Sequence, residues 1–127
     1  MLLCNVRSSY AVYDPVVGYC QSLNFIAAIL MLYMKEEQAF WTLTTVVQNT
    51  LPAGYYTDGM QGLRADHRVL TALFAQKMPA LHAHLTALDV PLEPVSTQWL
   101  MCMYLNVLPM NSVLRIWDAI FCEGSTV

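Results

Sequence analysis

Two long stretches without a single charge constrain this chain more than anything else in it. Val16 to Met34 runs 19 residues without Asp, Glu, Lys or Arg, and Val95 to Leu114 does the same over 20. Each is long enough to cross a bilayer, and each also suits a helix buried on most sides within an all-α domain. Their polar residues decide. The first run carries Gly18, Gln21, Ser22 and Asn24 in its N-terminal half, and the second carries Ser96, Thr97, Gln98, Asn106, Pro109, Asn111 and Ser112. Unpartnered amides in hydrocarbon cost on the order of kilocalories per mole each. No Lys/Arg bias flanks either run to set an orientation. Buried helices, with no integral membrane span, are the expectation.

Composition says what such helices belong to. Hydrophobic residues make up 57 % of the 127 residues and charged residues 12 %, where an ordinary domain is about one quarter charged. The length suits one domain rather than two. An interior portion of a larger soluble domain, covered elsewhere by other parts, accounts for the excess. Six basic against nine acidic residues, with no basic stripe, argue against nucleic acid as a partner. Cys4, Cys20, Cys102 and Cys122 form no C-x-x-C pair, and reduced, buried cytosolic thiols are expected. No basic-then-apolar leader with a small-residue cleavage site is present.

Proline and glycine punctuate the chain into about seven helices with short loops. Leu2 to Tyr13 places Leu3, Val6, Tyr10 and Tyr13 near helical spacing, and Asp14-Pro15 breaks it. A second helix is predicted from Val17 to Met34. A third starts at the acids Glu36 and Glu37, which suit a helix N-terminus, and runs to Thr50. Leu51 to Gly62 is a loop. Helices follow at Leu63–Gln76, Pro79–Leu88, Ser96–Val107 and Asn111–Cys122, with Asn111 as N-cap and Gly124 as stop. Nothing alternates with period two over a useful length, so the fold class is all-α. Trp41, Trp99 and Trp117 read as core, the eight methionines mostly as core filler. Arg115 and Asp118, three apart, can pair across a turn. Asp66 and Arg68 suit either a buried network or a partner surface.

Several chemistries are absent. There is no G-x-S-x-G elbow, no Walker A loop and no G-x-G-x-x-G. His82 and His84 are two apart, which on a helix points them in different directions, so no metal site is expected. The positive signal is Gly18-Tyr19-Cys20-Gln21 at the start of an apolar helix. Glycine permits close backbone approach, and a helix start offers free N–H groups that suit a phosphate. The Gln21 amide can accept from a water while donating elsewhere, as in-line attack on a γ-phosphate requires. Asn24, three residues on, would share its face. By residue type alone this signal is weak.

The run Val17-Gly18-Tyr19-Cys20-Gln21-Ser22-Leu23-Asn24-Phe25-Ile26 resembles the glutamine-finger motif of the TBC domain family, the activators of Rab GTPases. Glu36-Glu37-x-Ala39-Phe40-Trp41, Leu51-Pro52-x-Gly54-Tyr55-Tyr56, Gly62-Leu63-x-x-Asp66-x-Arg68-Val69-Leu70, Met78-Pro79-x-Leu81-x-x-His84-Leu85, Trp99, Leu114-Arg115-Ile116-Trp117-Asp118 and Glu123-Gly124 follow in family order. The resemblance implies an all-α fold and a regulatory role on a Rab-type GTPase rather than an enzyme's own active site. It implies no cofactor of the chain's own, because GTP and Mg would be held by the partner. It implies a cytoplasmic protein that meets endomembranes only through the Rab. Gln21 takes the place of the catalytic glutamine finger, with Tyr19, Gly18 and Asn24 as motif support.

Two departures stand out. The family's arginine finger, in an I-x-x-D-x-x-R motif upstream, has no counterpart here: Arg7 is the only arginine before Gln21, and Cys4-Asn5-Val6-Arg7 does not match it. Ser22 replaces the glycine usual after the glutamine. Residues 1–127 therefore resemble a partial TBC domain, lacking the arginine-finger segment and the C-terminal helices, and weak or inactive by itself. The alternative is a catalytically silent helical module that binds a small GTPase or another partner.

Overall fold

The computed structural model describes residues 2–124. It consists of seven α-helices: α1 (Leu2–Tyr13), α2 (Leu23–Tyr33), α3 (Glu36–Thr45), α4 (Gln61–Lys77), α5 (Pro79–Ala87), α6 (Glu93–Met101) and α7 (Met110–Glu123). No strand occurs among the described residues, and the all-α expectation holds. Helices α1, α2 and α3 pack against one another, and α4 packs on α5 and α6. Val6 and Tyr10 of α1, Ile26, Ala27 and Leu30 of α2, and Ala39 and Leu43 of α3 are buried together. Two fully buried alanines, Ala27 and Ala39, leave room for the larger side chains across the interface to interdigitate at interior density.

The helix bounds differ from expectation where tertiary contacts intervene. The predicted second helix loses its first turns, and α2 begins at Leu23. The apolar run is thereby cut to an 11-residue helix, and among the described residues no helix is long and apolar enough to cross a membrane. The third helix does reach Thr50, but its last five residues widen into a π-turn, Val46–Thr50, closed by Leu51 N–H donating to Val46 O at 2.9 Å. The predicted sixth helix starts earlier, at Glu93, and stops at Met101 rather than Val107. Beyond it, Met103, Tyr104 and Asn106 take positive φ values of 49°, 65° and 64°. Tyr56 donates its hydroxyl to Met101 O at 2.8 Å, and the Trp117 indole N–H donates to Met103 O at 2.9 Å. These buried partners replace the helical ladder at that end. Helix α7 begins one residue before Asn111, which is not its cap, and Gly124 ends it at φ 74°.

Loop 51–60 folds onto the start of α4, where Gly62 is buried. A Cβ on Gly62 would lie 2.9 Å from Ala53 O, a contact that only glycine avoids. Between α4 and α6 a polar node replaces apolar packing. The buried Ser96 hydroxyl lies 2.9 Å from His67 Nδ1, and the Thr97 hydroxyl 3.2 Å from Nε2.

Not every apolar residue reaches the core. Trp117 is buried and Trp99 half-buried, but Trp41 is 51 % exposed, with its ring edge-on to Tyr13 and Phe40. On α4, Leu63 is buried while Val69 and Leu73 lie exposed. Cys102 is buried and Cys20 half-buried, whereas Cys4 and Cys122 are exposed, so the expectation of buried cysteines holds for only part of the set. Arg115 and Asp118 are both exposed and form no ion pair, contrary to the pairing their spacing suggested. Truncating Leu43 to Ala is expected to cost about 2–5 kcal/mol, and Val12→Ala, on a residue 83 % exposed, less than about 0.5 kcal/mol. Urea denaturation followed by circular dichroism checks both.

Candidate functional site

The segment joining α1 to α2 is a strap fixed at both ends. At its start, Asp14 acts as a staple. Its Oδ1 accepts from the backbone N–H groups of Val16 and Val17, each at 3.2 Å, and its Oδ2 accepts from the Tyr10 hydroxyl and the Gln48 amide, each at 3.3 Å. An aspartate closing a turn on amides two and three residues ahead is the ordinary Asx arrangement. Gln48 lies on the π-turn after α3, so that widening carries an amide back to the strap. Burial opposes ionisation of Asp14, but the hydrogen bonds from Val17, Gln48, Tyr10 and Val16 prevail and hold its carboxyl below the usual range. Burial, reinforced by the Asp14 carboxylate, pushes the Tyr10 phenol up.

The chain then turns at Gly18, whose φ is 58°. Its N–H donates to Asp14 O at 2.8 Å. A Cβ there would meet Pro15 O at 3.8 Å, an ordinary contact, so the glycine serves the left-handed conformation rather than a close approach. Tyr19 follows, 59 % exposed, with the Arg7 guanidinium 5.1 Å from its ring centroid. Gln21 is exposed, lies in the turn ahead of α2, and makes no side-chain hydrogen bond to any described residue. Ser22 and Leu23 are buried and anchor the far end. The Ser22 hydroxyl sits against Cys102, whose thiol burial pushes up while the Ser22 contact pulls it the other way. The substitution for glycine thus points inward.

Three expectations are corrected here. Gly18 to Gln21 precede the helix instead of opening it, because the Gly18 conformation and the Asp14 staple hold the strap out of helical geometry. Three of the first amides of α2 are already taken: Leu23 N–H donates to Cys20 O, and Phe25 and Ile26 N–H to Ser22 O. Asn24 does not share a face with Gln21, since Gln21 lies outside the helix and the Asn24 Oδ1 is buried, with no hydrogen-bond partner among the described residues. His82 stacks edge-on to Phe74, and no group of three His, Cys, Asp or Glu among the described residues could hold a metal. Asp66 lies beside the buried Tyr55 phenol, which burial first and Asp66 second push up, while Arg68 is exposed.

Sequence reasoning missed Asp14 and Arg7. Asp-Pro was read only as a helix break, although Asp before a proline turn also signals backbone capping. The Arg7 contact, twelve positions from Tyr19, has no local signal.

The geometry is that of an all-α domain with an exposed glutamine amide, unpartnered among the described residues, on a stapled turn. The Rab-GTPase-TBC domain family profile matches residues 2–127. The chain is 40 % identical over 122 residues to TBC1 domain family member 10A of Mus musculus, covering 96 % of this chain and 24 % of that protein. It is 41 % identical over 126 residues to growth hormone-regulated TBC protein 1 of Rattus norvegicus, covering 98 % and 43 %. The crystal structure of the Chlamydomonas flagellar RabGAP TBC domain superposes with a TM-score of 0.84 at 35 % identity, covering 98 % of this chain and 41 % of that one. The chain belongs to the Rab-GTPase-TBC domain family, and it spans less than half the length of these relatives.

Asp14→Ala is expected to cost about 1 kcal/mol, as loss of a cap does. The carboxyl is held below its ordinary value of 3.8, so its contribution is present above that pH and lost as pH falls through the lower folded value. Wild type and variant should therefore converge in acid-unfolding measurements as pH drops below 3.8. A gap that widens there would contradict the staple.

Proposed function

We propose that this chain is the central portion of a domain that accelerates GTP hydrolysis on a Rab-family GTPase, with Gln21 as the residue that orients the attacking water. The observation that carries the reading is the state of Gln21: exposed, without a side-chain hydrogen-bond partner among the described residues, on a segment tied at Asp14 and anchored by the buried Ser22 and Leu23. A glutamine so placed can accept from the water through its carbonyl and donate its amide protons to the phosphate oxygens. Because the turn is pre-formed, little ordering remains to be done on engagement. GTP and Mg belong to the partner, and the chain needs no cofactor of its own. Membranes are reached through the Rab, which places the protein in the cytoplasm beside endomembranes. The exposed Val69 and Leu73 of α4 suit a face on which the remainder of a TBC domain packs.

Magnitude limits what these residues do unaided. In phosphoryl transfer a complete activator supplies about 10⁵-fold, and an arginine finger about 10³- to 10⁵-fold of such an effect. No I-x-x-D-x-x-R motif occurs in the 127 residues. The proposal is therefore weak stimulation by these residues alone. A second reading is a silent module that binds a GTPase without accelerating it.

Single-turnover GTP hydrolysis across a Rab panel separates the two. The first reading expects a modest acceleration by one or a few Rabs that Gln21→Ala abolishes. The second expects GTP-dependent binding with no change in rate. An acceleration that survives Gln21→Ala would remove Gln21 from the mechanism.

A further inference from the structure

The finger turn is held by Asp14, by the buried Ser22 and Leu23 and by the half-buried Cys20 packed on the core, and the exposed ring of Tyr19 makes a contact with a cation of another element. That cation is Arg7, on α1, whose Cζ lies 5.1 Å from the Tyr19 ring centroid. This is within the reach of a cation–π interaction, which also suits the planar guanidinium better than a lysine. Arg7 is half-buried and has no carboxylate within ion-pair distance among the described residues, so the ring is its partner. Arg7, Tyr10, Gly18, Tyr19, Cys20, Leu23 and Leu43 close around a space too small to admit a water molecule, so the contact sits on a packed floor. The chain holds six basic residues, and Arg7 is the one on the helix directly under this turn.

We propose that Arg7 is a positioning residue for Gln21: its guanidinium clamps the Tyr19 ring, and Tyr19 in turn fixes the apex that carries the glutamine two residues on. Arg7 itself touches no reacting atom. It acts by reducing the conformational freedom that Gln21 would otherwise lose on meeting a GTPase. The catalytic half of the assignment rests on the role proposed for Gln21, whereas the mechanical half does not.

The test has two arms on the 127-residue chain. In the first, ¹⁵N relaxation reports order at Tyr19, Cys20 and Gln21. Arg7→Met, which keeps the length and removes the charge, should lower the order parameters from about 0.85 toward about 0.6, and Arg7→Lys should restore most of the loss. Tyr19→Leu should loosen Gln21 without touching α1, and adding Arg7→Met to it should loosen Gln21 no further. In the second arm, GTP hydrolysis on the responding Rab is titrated with the chain. Arg7→Met should lower the saturating rate about two- to fivefold, the fold-change equivalent to about 0.5–1 kcal/mol, with the half-saturating concentration unchanged. Unaltered order at Tyr19 and Gln21 in Arg7→Met would overturn the proposal, and so would equal loosening in the Tyr19→Leu background. If the wild-type chain stimulates no Rab, the role of Gln21 fails on that result, and the relaxation arm alone decides for Arg7.

Discussion

The three-way packing of α1, α2 and α3 is the constraint on which the rest depends. Ile26, Ala27 and Ala39 are fully buried at its centre, with Val6, Tyr10 and Leu43 around them. Ala27 and Ala39 are small enough for the larger neighbours to interlock. Once α1 and α2 are fixed in this way, the nine residues between them must cross a set gap. Their course follows from that: Tyr10 reaches out of the core to Asp14, Asp14 closes the turn, Gly18 reverses the backbone, and Leu23 re-enters the core. Gln21 is left outside because both sides of it are tied down.

The helical skeleton was legible because its signals are local. The α1 bounds follow from the spacing of Val6 and Tyr10 and from the break at Asp14-Pro15, and α7 stops at Gly124, whose positive φ favours glycine. The misplaced helix bounds come from hydrogen-bond partners that compete with the helical ladder, some local and some distant in sequence. The 17–22 stretch is apolar enough for a helix, yet Asp14 draws the Val16 and Val17 amides away, and Gln48 reaches the same carboxylate from 34 residues further along. The end of α6 is undone by Tyr56 and Trp117 taking its carbonyls. Trp41 was assigned to the core on its apolar context, but its face of α3 looks toward Tyr13 and solvent.

The candidate site divides in the same way. Gln21, Tyr19 and Gly18 were legible from residue type and from the resemblance of the motif, and the structure places them on one turn. Asn24 was assigned by helical spacing from a helix that starts too late to include Gln21. Arg7 and Asp14, which hold the turn, carry no motif of their own, because a cation over a ring and a staple across three elements are visible only after folding.

The role of Gln21 is tested most directly by observing its side-chain amide in the ¹⁵N–¹H spectrum while a Rab loaded with a non-hydrolysable GTP analogue is added, and again with the GDP-loaded form. The Gln21 amide and the Tyr19–Ser22 backbone resonances are expected to shift strongly with the GTP form of at least one Rab and little with the GDP form. Shifts confined to α5 and α6, with Gln21 unmoved when the Rab is saturated, would contradict that role.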